Sequence, residues 1–572
     1  FFLVVMTFDF LGEKLGKEMH GRDPLTAYFW NLAGSLAGVL AYTLISYLQA
    51  PPPVWLLVGF LAVLPFWLRP SHIVMFAASV GLSAMATGSS LWSPYYRIDL
   101  KPFHMDRIEM GTLLEVNHDY HQRTLNFNET FLKQHPELTQ SKAFQIYYNT
   151  YNLPYELAPV KDRVLILGAG TGNDVAAALR SGAKRVDAVE IDPAILRLGY
   201  SIHPEHPYAD ARVRVFNDDA RAFLANCKEK YDVIVFGHVD SHTTFSTLSS
   251  VRLDNYLYTK ESLNAATRAL SDRGLAALSF AAGPAWLRGR LYQAVDAVTG
   301  NPPVALKTHF DNPGSVTILW GPALPQIKMD TAKSTKYTEP LPQEELEAKV
   351  ELPTDDWPFL YQQKRNIPPF YLAMLGIICF LGSMIIFSRM RVNLAALKEY
   401  SQFLLLGAGF LLLETRGMLA ISVLVGSTWL VNSLVIVVVL LMAMVANYVV
   451  MKVATLKEWH GYVGLFASLL VLYLVPLGQF SGEPLATKLL LSTALLGLPV
   501  IFSGLVFSKA FSRVAEPECA LGINILGALI GGCTEYLSTV TGINGLTLLS
   551  IAIYALSLLL SKLKNEAKPE AG

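Results

Sequence analysis

Charge is scarce in this sequence, and so is cysteine. Only 16% of the 572 residues are Asp, Glu, Lys or Arg, and the 46 basic residues balance the 46 acidic ones. No basic run stands out, so nucleic acid is not expected as a partner. The four cysteines, Cys227, Cys379, Cys519 and Cys533, lack metal-ligand spacing, and three lie in apolar segments. Neither a disulfide framework nor a zinc site is expected. What the chain has instead is apolar residues, 52% of the total, with a mean hydropathy of +0.36. That is too apolar for a wholly soluble enzyme, and the length is too great for a single core.

The apolar residues fall in runs. Phe1–Leu11 reads as the end of one membrane helix, followed by Pro24–Leu48, the rather short Val54–Leu68, and His72–Trp92. Seven more follow at roughly 367–388, 402–424, 428–451, 461–477, 485–508, 515–537 and 543–561. Each approaches the ~20 residues that span hydrocarbon. The opening Phe1-Phe-Leu-Val-Val-Met, which lacks an initiator Met, is expected to continue a preceding segment. Asn31-Leu-Ala-Gly-Ser-Leu-Ala-Gly38 resembles Asn524-Ile-Leu-Gly-Ala-Leu-Ile-Gly531, which fits either small-residue helix packing or a duplicated bundle. Glu414, Arg416 and Glu535 lie inside apolar runs, where a charge implies a function or a partner on another helix.

Between the two groups of runs, about 93–366, the pattern changes. Val164–Leu167 is a short apolar strand that enters Gly168, Gly170 and Gly172, and a helical stretch, Val175–Ser181, follows. Strand, glycine turn and helix together make a nucleotide-binding crossover, in which the backbone approaches the ligand and the helix start offers free N–H groups. A second strand, Arg185–Val189, ends in Glu190-Ile-Asp192, about 20 residues past the glycines, where a carboxylate can take both ribose hydroxyls. Further strands, Arg212–Phe216 and Tyr231–Phe236, end near Asp219 and Asp240. The fold expected is a polytopic α-helical membrane bundle (1–92 and 367–572) with an inserted α/β Rossmann-like domain (93–366).

Several stretches together resemble the spermidine synthase-like branch of Rossmann-fold S-adenosylmethionine-dependent transferases, in its membrane-fused form. They are Trp92-Ser-Pro-Tyr-Tyr-Arg97, Gly168-Ala-Gly-Thr-Gly172, Glu190-Ile-Asp-Pro193, Asp219-Ala-Arg221, Tyr231-Asp-Val-Ile-Val235, Pro353-Thr-Asp-Asp-Trp-Pro-Phe-Leu360 and Phe403–Glu414. The resemblance implies that Gly168, Gly170, Thr171, Gly172, Glu190, Asp192, Asp219, Ala220 and Gln122 bind S-adenosylmethionine or decarboxylated S-adenosylmethionine. Glu190 would hold the ribose and Asp219-Ala220 the adenine, although Asp219 also reads as a helix cap.

Two departures fall where the chemistry occurs. Thr171 stands where aminopropyltransferases carry an acid, and Gly237 stands where they carry the base after the fourth strand. Loss of an acid favours the intact cofactor over its decarboxylated form. The base is expected from Asp240, His242 or His238 in His238-Val-Asp-Ser-His242, a triplet with no further partner that would make it a metal site. Tyr147-Tyr-Asn-Thr-Tyr-Asn-Leu-Pro-Tyr155 is either an aromatic wall for the sulfonium or core packing.

These readings imply a membrane-embedded transferase that moves an aminopropyl, aminocarboxypropyl or methyl group to a small amine or lipid-like acceptor, or cleaves the cofactor internally. The alternative is a transporter or sensor whose Rossmann domain binds a nucleoside without catalysis. The lipid bilayer is an expected partner, and a homo-oligomer is left open. Basic loop residues such as Lys14, Arg69, Arg389, Lys452 and Lys509 cluster on one side, which by parity places 93–366 outside the cytoplasm. A cytosolic cofactor argues for the opposite side.

Overall fold

The computed structural model describes residue 12 and the stretches 14–15, 17–18, 21–66, 69–239, 255–308, 314–329, 333–389, 392–426, 428–453, 455–475 and 477–567. By internal packing the chain divides into two units. One comprises Phe1–Ala41, Arg365–Val425 and Leu430–Gly572; the other comprises Tyr42–Lys364 together with the loop Gly426–Trp429.

The second unit is built on two sheets. The smaller is an antiparallel meander of β1 (Leu91–Trp92), β2 (Arg97–Met105), β3 (Ile108–Val116) and β4 (Asp119–Arg123), in that order. Asn117 and His118, both at positive φ (51° and 73°), make the two-residue turn between β3 and β4. Such a turn matches strand twist and returns the chain directly along its neighbour. It thereby carries Gln122 back along β3 on β4.

The larger sheet comprises β5 (Arg163–Leu167), β6 (Arg185–Glu190), β7 (Val213–Asn217), β8 (Tyr231–Phe236), β9 (Leu270–Phe280), β10 (Val304–Lys307), β11 (Val316–Trp320) and β12 (Glu339–Pro340). Their order is β12-β10-β11-β9-β8-β5-β6-β7. The strands β7, β6, β5, β8 and β9 are parallel, and β11, β10 and β12 add an antiparallel edge. A parallel strand covered on both faces reads as a continuous apolar run. Val164, Leu165, Ile166 and Leu167 in β5 are all fully buried, as are Val233, Ile234 and Phe236 in β8. Strand order reverses between β5 and β8, because β6 and β7 lie to one side of β5 while β8 and β9 lie to the other. The carboxyl ends of these two strands therefore frame the crevice where open α/β sheets bind ligands.

The packing helices of this unit are α1 (Lys142–Leu157), α2 (Asn173–Arg180), α3 (Pro193–Ile202), α4 (Ala220–Asn226), α5 (Lys260–Ala269) and α6 (Ala285–Asp296). The aromatic string of α1 belongs to the core: Tyr151 and Tyr155 are buried among Phe127, Phe144 and Leu153. Of the two readings of Tyr147–Tyr155, packing is the one observed for these two rings.

Eight helices among the described residues are long and apolar enough to cross a membrane: Pro24–Tyr47, Pro70–Thr87, Pro369–Ser388, Ser401–Val425, Trp429–Lys452, Ala486–Phe511, Pro517–Thr541 and Ile543–Leu563. Three of the eleven expected spans are not among these eight. Phe1–Leu11 lies outside the described residues. Val54–Leu68 becomes a 12-residue helix, Pro52–Val63, and a 3-10 turn, Leu64–Phe66. The 461–477 run is the 17-residue helix Glu458–Leu474. The His72–Trp92 run stops at Thr87, because Gly88 turns to φ 54° and Leu91–Trp92 pair with β2.

Within the first unit, α7 (Ser401–Val425) packs on α9 (Pro517–Thr534), with α8 (Trp429–Lys452) between them in sequence. Gly407, Gly527 and Gly531 have no room for a side chain: a Cβ would run into the backbone of Asn524, Leu404 and Ala408 respectively. Small residues at this spacing let two backbones meet. The matching Gly34 and Gly38 face open space, so the two similar segments pack differently. Arg416 finds its partners on α10 (Ile543–Ala567), donating to Asn544 Oδ1 at 2.9 Å and Thr547 Oγ1 at 3.3 Å.

Candidate functional site

The glycine turn runs from Leu167 at the end of β5 to Asn173 at the start of α2. Gly168, Gly170 and Gly172 all have positive φ, 72°, 54° and 110°. Gly170 is enclosed by Gln122 and Glu190. A Cβ there would lie 2.5 Å from Gln122 Oε1, and its N–H donates to Glu190 Oε2 at 2.9 Å. Glu190 also accepts from Asp192 N–H at 3.0 Å on its other oxygen. Burial pushes the Glu190 pKa up to about 7, against the pull of those two backbone donors. A carboxylate with two donors already in place, at the carboxyl end of β6 next to the turn, suits two ribose hydroxyls.

Gln122 reaches the turn from the other sheet. Its Oε1 accepts from Thr171 N–H at 2.9 Å and Thr171 Oγ1 at 3.0 Å. Thr171 is fully buried, so its hydroxyl serves this bond. Tyr208 closes the far side by donating its hydroxyl to Gly170 O at 2.6 Å.

Two acids of the expected binding set also work as caps. Asp192 Oδ1 accepts from Ala194 N–H at 2.7 Å at the start of α3, and Asp219 Oδ1 accepts from Ala222 N–H at 2.8 Å at the start of α4. Both helices thus begin at the crevice rim, and Ala220 sits in the first turn of α4, where N–H groups lack intrahelical acceptors. Arg221, next in α4, is tied to Asp355 by a short ion pair. Asp355 in turn accepts from Thr259 Oγ1, the cap of α5, at 2.8 Å. The Thr354-Asp-Asp-Trp357 segment therefore locks α4 against α5.

The structure places residues at the site that sequence reasoning did not select. Tyr95 is half-buried close to Asp192 and Asp219, whose charges join desolvation in pushing its hydroxyl pKa far up. That hydroxyl accepts from Trp429 N–H at 3.2 Å. Gly426, at φ 111°, packs against Asp219 so closely that a Cβ would lie 2.9 Å from Asp219 Cβ. The third is Asp174, in the first turn of α2, which is only 9% exposed. The expected catalytic residues fare differently. His238 follows β8 beside Val239, whose side chain lies against Gly168; Asp240 and His242 lie outside the described residues. No group of three metal-ligand side chains occurs among the described residues.

Residues 149–298 match the family model of the spermine/spermidine synthase domain. Among curated proteins the chain is similar to polyamine aminopropyltransferase 2 of Streptomyces coelicolor. Identity is 38% over 168 residues, which is 27% of this chain and 28% of that protein. The polyamine aminopropyltransferase of Korarchaeum cryptofilum is 29% identical over 117 residues, 20% of this chain and 34% of that one. The chain thus spans about a third of the length of these relatives or less. Among solved structures, the spermidine synthase from Thermotoga maritima aligns over 51% of this chain and 87% of its own, at 17% identity and a TM-score of 0.31. Taken with the parallel sheet and the glycine turn, the family match identifies this chain as one that carries a spermidine synthase-like Rossmann-fold domain.

Proposed function

We propose that this chain is a membrane-embedded transferase of the spermidine synthase type. It binds an adenosyl sulfonium, S-adenosylmethionine or its decarboxylated form, and moves an alkyl group to a small amine or membrane-held acceptor. The division into an N-terminal helical part (1–92), a transferase domain (93–366) and a C-terminal bundle (367–572) belongs to the same proposal. The observation that carries it is the buried Glu190 carboxylate, bonded to Gly170 and Asp192 N–H at the end of β6.

In this reading Glu190 accepts the ribose hydroxyls, while Asp219 and the Ala220 N–H take the adenine edge beneath Gly426. Gln122 and Thr171 hold the turn closed beside the sulfonium arm. The cofactor supplies an electrophilic carbon next to a positive sulfur. The protein aligns the acceptor, excludes water and removes a proton, the last through Asp240, with His238 and His242 as its neighbours. The apolar helices keep the domain at a bilayer, where a lipid-like acceptor would be within reach. The relatives' names and the matched domain favour aminopropyl transfer among the three group transfers.

The test is mass spectrometry of nucleosides after incubating the detergent-purified chain, with lipid, with each form of the cofactor. Methylthioadenosine from the decarboxylated form in the presence of an amine is the expected product. S-adenosylhomocysteine would instead mean methyl transfer. Tight binding without any product would replace the enzyme by a nucleoside-binding sensor or transporter.

A further inference from the structure

We propose that a second pocket, formed where two apolar helices meet the Trp92–Arg97 segment, binds the phosphate-bearing headgroup of a membrane phospholipid. This rests on the membrane part of the reading above and not on its cofactor part.

The pocket is a cavity of about 140 Å³, and every residue that lines it belongs to the Tyr42–Lys364 unit. A single water needs only about 15 Å³, so the space suits a polyatomic group. On one side stand Tyr42 and Ser46, near the end of the helix Pro24–Tyr47, and Trp55, near the start of Pro52–Val63. In the turn that joins these helices Gln49 sits at φ 54°, and Arg197 of α3 donates to its Oε1. The opposite side is β1 and the turn after it. Trp92 pairs in register with Arg97, and Ser93 Oγ accepts from Tyr95 N–H at 3.0 Å and Tyr96 N–H at 2.9 Å, which closes the turn.

Three rings make the wall. Trp55 meets Trp92 edge to face, with 5.2 Å between centroids, and Tyr42 meets Trp55 at 6.1 Å. The two indoles differ in one respect. Trp55 Nε1–H donates to Ala50 O at 2.7 Å, whereas Trp92 Nε1 is buried and has no acceptor among the described residues. Buried donors are normally paired, so one left over at the wall of a cavity calls for an acceptor oxygen. Arg97 is the charged residue of the lining; it is bonded to Asp99 at 3.1 Å and donates from Nε to Ser90 Oγ at 2.9 Å. An aromatic wall alone would suit a cation. The guanidinium, the spare N–H and a lining without an acid decide instead for an oxygen-rich anion.

The two helices favour a lipid as the source of that anion. Leu44 and Leu48 on one side of the turn, and Leu57 and Leu61 on the other, are exposed. A phosphate held in the pocket would have acyl chains lying along this apolar surface, and Trp and Tyr at a helix end are the residues that sit at headgroup level. Tyr95 lines the pocket and also lies close to Asp192 and Asp219, so an occupied pocket would steady one residue of the nucleoside crevice.

The test is photolabelling of the full chain, purified in a maltoside detergent that brings no phosphate, with a phosphatidylglycerol carrying a diazirine in its headgroup. Peptide mass spectrometry should find the label within residues 42–55 or 92–97, a result that depends on no variant's folding. Trp92→Phe keeps a ring and removes the N–H, and Arg97→Gln removes the charge; each should lower labelling there by about tenfold at limiting probe. Millimolar inorganic phosphate should leave the label in place, and displacement by it would make this a free-anion site and overturn the lipid assignment. Label found elsewhere only, or undiminished in both variants, overturns the proposal while the membrane reading stands. A chain that stays in solution without detergent and does not float with phospholipid vesicles overturns both.

Discussion

Gly426 lies against Asp219, with 2.9 Å between the position of a Cβ at 426 and Asp219 Cβ and 3.3 Å to Asp219 Cγ. The residue expected to read adenine is therefore walled by a loop that follows it in sequence by more than two hundred residues. That loop is held by Trp429 N–H on the Tyr95 hydroxyl.

Gly426→Ala tests the wall. At φ 111° an alanine is strained by about 1–3 kcal/mol, and its methyl would also press on Asp219 and Ala222. The expected result is an affinity for methylthioadenosine lower by about tenfold. Calorimetry showing unchanged affinity would mean that the loop does not shape the nucleoside pocket.

Asp219 has two roles that can be separated. Asp219→Ala should lose both the cap of α4, worth about 1 kcal/mol, and the affinity for adenosine ligands. Asp219→Ser keeps a capping oxygen and should recover thermal stability without recovering affinity. If serine restores both, the residue is structural only.

Glu190 should make nucleoside binding pH-dependent. Its folded pKa of about 7 stands above the ordinary 4.5, so below pH 7 the carboxyl holds a proton that two ribose hydroxyl donors would have to displace. Affinity for methylthioadenosine should rise from pH 6 to 7, by up to about tenfold per unit, and level off by pH 8. The stability of the ligand-free protein should follow the opposite trend. The folded state keeps the proton between 4.5 and about 7, so this group's contribution to stability falls as pH rises through that window. Glu190→Gln should weaken binding and flatten its pH profile; an unaltered profile would point to another titrating group.

Asp240→Asn should abolish turnover and leave cofactor affinity within about twofold, read by product mass spectrometry beside calorimetry. Full activity in that variant would move the base elsewhere.

The framework of the site was legible because its signals are local. A fully buried parallel strand is an unbroken apolar run, and the glycines that follow it are needed at positive φ, so β5 and its turn could be read from neighbouring residues. Glu190 was legible for the same reason, one strand later. Gln122 was named from the family resemblance; what brings it to Thr171 is the Asn117-His118 turn. Asp174 was passed over because the motif reading stops at the last glycine, and only the juxtaposition with Gly237 shows where its carboxylate lies. Tyr95 lies in the Trp92–Arg97 stretch but was given no role, and Gly426 carries no local mark, since their meaning comes from Asp192 and Asp219, which are distant in sequence. The aromatic string of α1 left two readings open because its spacing suits a cation wall and a core alike, and only the fold shows that Tyr151 and Tyr155 fill the core.

The position of Gly426–Trp429 within the Tyr42–Lys364 unit bears on how the protein is made. During synthesis the strands, the glycine turn and both capping acids leave the ribosome long before residue 426. A nascent chain halted after the transferase-like region would hold Glu190 and Asp219 but not the wall over Asp219. On the proposed reading, full nucleoside affinity requires that the helix pair carrying the loop has been translated, and a fragment cut at residue 366 should bind methylthioadenosine more weakly than the full chain.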